Sequence, residues 1–494
     1  DILSIIYNYN FRETFPEEVH QSLKKIPNKV KESDLKGRRD LRKDLIITID
    51  GIDAKDLDDA VRVLKLPNKN YLLGVYIADV SYYVTLNSPI DLEARERGTS
   101  LYVVDRVIPM LPHKLSNGIC SLNPGEDRLV IACEMEINNQ GKVVDYEIFP
   151  GVINSKYRMN YSDVNKILEE NNKKLQEKYN EIVPMLKDME ALAKILKENR
   201  IKRGAIDFLS DEAVITVDEK GLPINIEPRI QRTGEKIIEE FMIRANETVT
   251  EHFHWLDVPF IYRIHETPKE KKIEHFLNFV KLTGHKLPKK INLTNPKSLQ
   301  EVLTSLETSE IYPVFSELLL RAMQKACYSE KNVGHFGLAS KYYTHFTAPI
   351  RRYPDLIVHR LIRDYIFNGE AKTDWDKLIP PIAEHASIQE REAIECEREV
   401  EDMKKAEYMK SHVGEVFEGI ISGVTGFGFF ARLPNTIEGL VHILDLNDDY
   451  YYFDEKTLSL IGEKKKKRYR IGDKVKVKVI NASKIDLTID FTVV

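Results

Sequence analysis

With 494 residues the chain is long enough for about three domains and a sizeable buried core. Apolar residues at 42% and aromatics at 9% exclude wholesale disorder, collagen-like repetition and a small disulfide scaffold. The 73 Lys and Arg against 78 Asp and Glu give a formal net charge of -5, so an anionic partner has to be met by local basic residues rather than by the bulk field.

Residues 1–44 are polar, with helical spacing around Val19, Leu23 and Ile26, and end in the basic run KGRRDLRK, which reads as a connector. From Leu45 the apolar runs LIITI, LLGVYIADV and RLVIACEMEI, bounded by Gly, Pro and Asn, predict strands of a substantial sheet. Charged residues alternate with Leu, Ile and Met at helical spacing between Tyr161 and Arg203. A second helix is expected through EKIIEEFMIRANETV, with Ile237, Phe241 and Ala245 on one face. RRYPDLIVHRLIRDYIFNG predicts a helix with Pro354 in its first turn and a stop at Gly369, followed by a long charged helix carrying HASIQEREAIECEREVEDM. From about His412, short strand runs separated by Gly-rich or polar links predict a small β-barrel. The fold class expected is therefore α+β, a mixed α/β body followed by a small all-β barrel, which the resemblance given below implies is of OB type.

Cys120, Cys133, Cys327 and Cys396 form no CxxC pair, which argues against a zinc ribbon and a secreted disulfide framework and predicts a reducing, cytoplasmic setting. No stretch approaches the roughly 18 apolar residues of a membrane span, and the opening DILSIIYNYNFRE lacks a basic n-region and a cleavage site. A soluble chain without a membrane partner is expected. Because it opens at Asp1 rather than Met, further N-terminal domains are expected upstream.

Three clusters carry chemistry. In ITIDGIDAKDLDDAV an apolar strand runs into Asp50, Asp53, Asp56, Asp58 and Asp59, five acids within ten residues that repel one another unless solvated or neutralised by cations. Hard oxygen ligands suit Mg²⁺ or Mn²⁺, and two such ions fit phosphodiester chemistry. An acidic surface turn or a structural calcium loop is the alternative, although the spacing fails the EF-hand pattern. In HFGLASKYYTHFTAPIRRYPDLIVHR, Arg351 and Arg352 precede a helix N-terminus and could grip a phosphate, or be surface arginines paired with acids. In the last β segment Phe427, Phe430 and His442 could share a face beside KKKKRYR at 464–470, a pattern suited to single-stranded nucleic acid unless the aromatics are barrel core.

At these residues the chain resembles the RNase II and RNase R (RNB) family of 3′-to-5′ exoribonucleases. TIDGIDAKDLDDAV, IPMLPHKLSNGICSLNPGEDR, RGAIDF, IIEEFMIRAN, VPFIYRIHETP and HFTAPIRRYPDLIVHR follow in family order. VPFIYRIHETP is closer to the ribonuclease R branch. The resemblance implies a helical and basic connector at 1–44, an RNB catalytic domain at 45–405 and an S1 RNA-binding domain at 411–494, without the cold-shock barrels that usually precede the catalytic domain. It also implies processive hydrolysis of single-stranded RNA, with 3′-overhang structured RNA as a further substrate, to 5′-nucleoside monophosphates by a two-metal mechanism. Mg²⁺ is the usual metal, with Mn²⁺ as a substitute. A monomer with no small-molecule cofactor is expected.

By resemblance, Asp50, Asp56, Asp58 and Asp59 hold the metals and align water, while Asp53, matched only in the ribonuclease R branch, is left out. Arg351 matches the arginine that contacts the scissile phosphate, with Arg352 as a further RNA contact. Tyr102 and Phe208 match the aromatics that clamp the terminal nucleotide, and Tyr161, Glu239 and Glu397 resemble residues placed around the RNA end. Phe427, Phe430 and His442 belong to the expected S1 surface. Ala348 replaces the usual serine of FTSPIRRY, and the lysine-rich tail of many relatives is missing. A non-catalytic RNA-binding protein of the same fold and a structural calcium-binding protein are the alternatives from other classes.

Overall fold

In the computed structural model, which describes residues 2–208, 212–455 and 457–494, the apolar runs of the first third form one seven-stranded sheet. Its strands are β1 (Arg39–Asp40), β2 (Ile47–Asp50), β3 (Asp59–Lys65) and β4 (Tyr71–Ala78). After a short hairpin of β5 (Leu101–Val103) and β6 (Arg106–Ile108) come β7 (Asp127–Ile137), β8 (Val143–Asn154) and β9 (Tyr157–Asn160). The spatial order is β1-β8-β7-β4-β3-β2-β9, antiparallel throughout except for the parallel pairs β1/β8 and β2/β9. The middle strands β4 and β7 are near-continuous apolar sequence because both of their faces are covered. The helix Thr233–Leu256 lies over the sheet and buries Ile237, Phe241 and Ala245 completely, the three residues its spacing put on one face.

Residues 1–44, expected as a connector, are built into this body. The helix Ile2–Asn8 buries Ile2, Ile5 and Ile6 against Ala393, Cys396, Val400 and Met403. The basic run supplies β1 and Arg38, whose guanidinium meets Asp79 at 2.6 Å with both side chains buried. Sequence polarity concealed this, because many of the apolar residues that cover the segment lie far away in the chain.

The helix Tyr353–Leu361 has Pro354 in its first turn and continues as a π-helical stretch, Ile362–Phe367, that stops before Gly369 in a positive-φ conformation. The final helix spans Trp375–Lys410, about 54 Å, and starts ten residues before the run HASIQEREAIECEREVEDM. Pro380 and Pro381 lie inside it; each lacks the N–H that a carbonyl one turn earlier would need, which is why a proline pair reads as a break.

A second core joins the helices Glu270–Leu282, Pro296–Thr304 and Tyr312–Ala322 to the C-terminal barrel. Val416–Thr425, Gly428–Arg432, Glu438–His442, Lys474–Ser483 and Thr488–Val493 close into a five-stranded barrel. Its interior is filled by Phe429, Ala431, Val441, Val477 and Phe491, all fully buried. Among the described residues no helix is long and apolar enough to cross a membrane.

Candidate active site

Asp50 ends β2 and Asp59 opens β3, so the loop 51–58 is held at one edge of the sheet with its ends on adjacent strands. Ser121 fixes the loop from below: its hydroxyl accepts the Leu57 N–H at 3.0 Å and donates to the Lys55 carbonyl at 2.7 Å. The Leu57 and Asp58 carbonyls accept from the Leu122 and Ala78 N–H groups. Arg158 donates to the carbonyls of Ile52 and Ala54. The tip of the loop is exposed, with Ile52 at 73%, whereas Asp58 is held at 5%, so this acid is not part of a solvated turn.

The carboxylates are short of partners. The Oδ2 atoms of Asp50, Asp58 and Asp59 are each buried with no hydrogen-bond partner. Burial pushes the Asp50 and Asp58 carboxyls well above the usual range, with Asp59 and Asp56 adding repulsion at Asp50, and burial raises Asp59 to about 6. Three partnerless anionic oxygens in a buried site are what a hard divalent cation would neutralise, and such an ion would reverse these shifts. The donor chemistry thus fits Mg²⁺. Among the described residues no three His, Cys, Asp or Glu side chains converge as a ready-made ion cage, and Asp56 Oδ2 accepts from the Tyr102 hydroxyl.

Facing the acids is the loop 346–352. Ile350 N–H donates to Asp58 Oδ1 at 2.8 Å, and Arg351 Nε lies 3.9 Å from Asp58 Oδ2. The Arg351 carbonyl is pinned by the Ser100 N–H at 2.9 Å and the Thr99 hydroxyl at 3.1 Å, while its side chain stays 46% exposed. A fixed backbone under an open guanidinium suits an incoming phosphate. Arg352 does the opposite. Its side chain is 17% exposed and donates to Asp355 Oδ1 at 2.7 Å, which ties it to the helix that follows.

Tyr102 stands between two acids. Its hydroxyl donates to Asp56 and its N–H to Glu397 Oε1 at 2.9 Å, which leaves the ring 37% exposed beside the pocket. Tyr161, at the start of the helix Tyr161–Leu168, has its hydroxyl pushed up by burial and then by the nearby charges of Asp59 and Asp50. Burial also raises Glu397. Asp50, Asp56, Asp58, Asp59, Arg351, Tyr102, Tyr161 and Glu397 thus share one site.

Glu239 and Phe208 belong to a neighbouring group around Arg200. This buried guanidinium meets Glu240 at 2.7 Å, Asp207 at 3.4 Å and Glu239 at 3.7 Å. Asp207 also meets Lys197 at 2.9 Å, and Phe208 beside it packs on the second core.

On the barrel, Gly428 is paired with His442 and Phe430 with Leu440, so Phe430 and His442 point outward while Phe429, Ala431 and Val441 point in. Phe427, 50% exposed, makes an edge-to-face contact with Phe430 at 6.2 Å. The three share an outer face. Lys464, Lys465 and Lys466 are exposed beyond it, whereas Tyr469 in the same basic run stacks on Phe429 in the core.

Sequence reasoning missed Ser121, Asn246, Asp355 and His359, whose side chains bond to backbone groups of the loops 51–58 and 346–352. The one available signal was Asp355, an acid in the first turn of a helix directly after two arginines.

The RNB domain profile matches residues 38–368 and the S1 RNA binding domain profile matches residues 410–493. Ribonuclease R 1 of Lactococcus lactis is 50% identical over 497 residues, covering 99% of this chain and 60% of that protein. Ribonuclease R of Thermotoga maritima is 48% identical over 503 residues, covering all of this chain and 70% of its own length. This chain therefore spans 60 to 70% of the length of these two relatives. Among solved structures, Mycoplasma genitalium RNase R in complex with ribose methylated single-stranded RNA superposes with a TM-score of 0.92 at 34% identity, over 100% of this chain and 77% of that one.

Proposed function

The chain belongs to the RNB family, in its ribonuclease R branch with an S1 barrel behind the RNB domain, and from that premise we propose that it is an exoribonuclease that hydrolyses single-stranded RNA from the 3′ end. The observation that carries this reading is the meeting of one half-exposed arginine with three buried carboxylate oxygens that have no hydrogen bond. Water attacks the last phosphodiester, the P–O3′ bond breaks, the shortened RNA keeps a 3′-hydroxyl and the released nucleotide keeps its 5′-phosphate.

Asp50, Asp58 and Asp59 would hold Mg²⁺, or Mn²⁺ in its place, and Asp56 would join them on release from Tyr102. When bound, a pair of such ions would supply charge neutralisation at the phosphate and a more acidic attacking water. Arg351 takes the phosphate oxygens, where its charge favours the more anionic transition state. The Tyr102 ring stacks on the terminal base without regard to its identity, and Phe208 and Tyr161 extend that hold. Glu239 and Glu397 serve the ribose hydroxyls of the RNA end, which favours RNA over DNA. The outer face of the barrel, with Phe427, Phe430 and His442, feeds the strand inward. Structured RNA with a 3′ overhang is the broader substrate. The working unit is a cytoplasmic monomer without a small-molecule cofactor; its four free cysteines suit a reducing compartment.

The test is a time course on 5′-labelled single-stranded RNA with Mg²⁺, run beside a chelator control and Asp58→Asn. Stepwise shortening from the 3′ end, abolished by both controls, is expected. RNA that stays intact yet shifts in a binding gel would replace the enzyme with a binding protein of the same fold.

A further inference from the structure

The loop that delivers the Ile350 N–H and the Arg351 guanidinium closes on itself only through the Arg351 and Arg352 N–H groups, which donate to the Ala348 carbonyl at 3.3 and 2.9 Å, and it is also gripped from behind. Asp355 and His359, four residues apart on the helix Tyr353–Leu361, lie on one face and are fully buried. Asp355 Oδ1 accepts the Ala348 N–H at 2.8 Å and the Arg352 guanidinium at 2.7 Å. His359 Nε2 donates to the Phe346 carbonyl at 2.8 Å; an acceptor-only carbonyl requires the proton on that nitrogen. From the helix Thr233–Leu256, Asn246 Oδ1 accepts the Phe346 N–H at 2.8 Å. Both ends of the turn that precedes Ile350 are therefore held, and the tip is left with one direction in which to present its N–H and its guanidinium. None of these three side chains bonds to an acid of the pocket.

We propose that Asp355 and His359 are positioning residues for RNA hydrolysis: through the backbone of 346–352 they seat the Ile350 N–H on Asp58 and hold Arg351 at the acidic pocket. This deepens the nuclease reading above and rests on it. Ala348 occupies the position at which Asp355 takes hold; because the bond is to the backbone N–H, a serine hydroxyl is not needed for it.

The experiment measures single-turnover cleavage of 5′-labelled RNA with Mg²⁺ and, separately, RNA affinity in chelator. It uses the full chain, as wild type and as Asp355→Ala, Asp355→Asn, His359→Ala, His359→Gln, Arg351→Ala and the Asp355→Ala/Arg351→Ala double variant. Asp355→Ala and His359→Ala are expected to slow cleavage roughly 10- to 100-fold with RNA affinity unchanged. Asp355→Asn keeps the Oδ1 acceptor and His359→Gln keeps a donor near Nε2, so both recover most of the rate. Because Asp355 acts through the loop that carries Arg351, the double variant falls short of the product of the two single losses. Rate and affinity falling together, conservative variants as slow as the alanines, or fully multiplicative losses would each overturn the inference. If Asp355→Ala does not fold, the His359→Ala and His359→Gln pair makes the same comparison. Wild-type turnover matched by Asp355→Ala overturns this inference alone, whereas RNA left intact by the wild type overturns the nuclease reading and this inference with it.

Discussion

The Ile350 N–H reaches Asp58 Oδ1 at 2.8 Å across 292 positions of sequence. One oxygen of the carboxylate is thereby committed to the protein, and the other, Oδ2, is left buried and partnerless with Arg351 Nε 3.9 Å away. The bond orients Asp58 before any ion or RNA arrives, so the pocket is asymmetric at its centre.

Two adjacent arginines should separate chemistry from stability. Arg351→Ala lowers kcat by about 10²- to 10³-fold, the usual loss for one transition-state charge interaction, and leaves Tm unchanged because the guanidinium is half-exposed. Arg352→Ala strands the buried Asp355 carboxylate and destabilises the fold by about 3–5 kcal/mol. Thermal melts beside turnover assays check both, and equal losses of Tm in the two variants would sink the distinction.

Tyr102 offers a ring to the RNA and a hydroxyl to Asp56. Tyr102→Ala should weaken RNA binding in chelator by about 1–3 kcal/mol, the range for stacking on one base. Tyr102→Phe keeps the ring and should bind like wild type. Fluorescence anisotropy with a 5′-labelled strand distinguishes them; a phenylalanine variant as weak as the alanine would assign the affinity to the hydroxyl.

Burial holds the His359 imidazole at about 4, below the ordinary 6.5. As pH falls through 6.5 the unfolded chain takes up a proton that the folded chain refuses until about 4. Stability from this group is thus fully present above 6.5 and lost between 6.5 and 4, by at most about 1.4 kcal/mol per pH unit. Urea midpoints of His359→Gln should therefore change less steeply than wild type over that window, and parallel curves would contradict the assignment.

On the barrel, replacing the exposed Lys464, Lys465 and Lys466 by Gln should flatten the fall of log affinity with log salt by about 0.7 for each phosphate that a lysine no longer neutralises. Phe427→Ala should weaken binding with no change in that slope. A salt dependence unaltered by the lysine changes would place the phosphate-binding cations elsewhere.

The sequence made some of this legible and hid the rest for physical reasons. Asp50, Asp58 and Asp59 stood out because a strand ending in several acids is costly without a cation. The barrel face could be read because alternation puts Phe429 inside and Phe430 outside. Spacing alone could not say which arginine of the pair stays open, since both precede the same helix and only the three-dimensional place of Asp355 decides between them. The opening helix Ile2–Asn8 was missed because its apolar partners, Cys396 and Val400 among them, lie almost 400 residues away. Pro380 and Pro381 hid the start of the last helix because local propensity there opposes the helix that tertiary packing stabilises.

The long span between Asp58 and Ile350 also sets a timetable for biosynthesis. At 5–20 residues per second, Asp58 emerges roughly 15–60 s before Ile350. Throughout that interval the growing polypeptide carries the acids but neither the peptide that orients Asp58 nor the guanidinium beside it. A nascent chain, or one released before Ile350 has been made, therefore cannot complete the site.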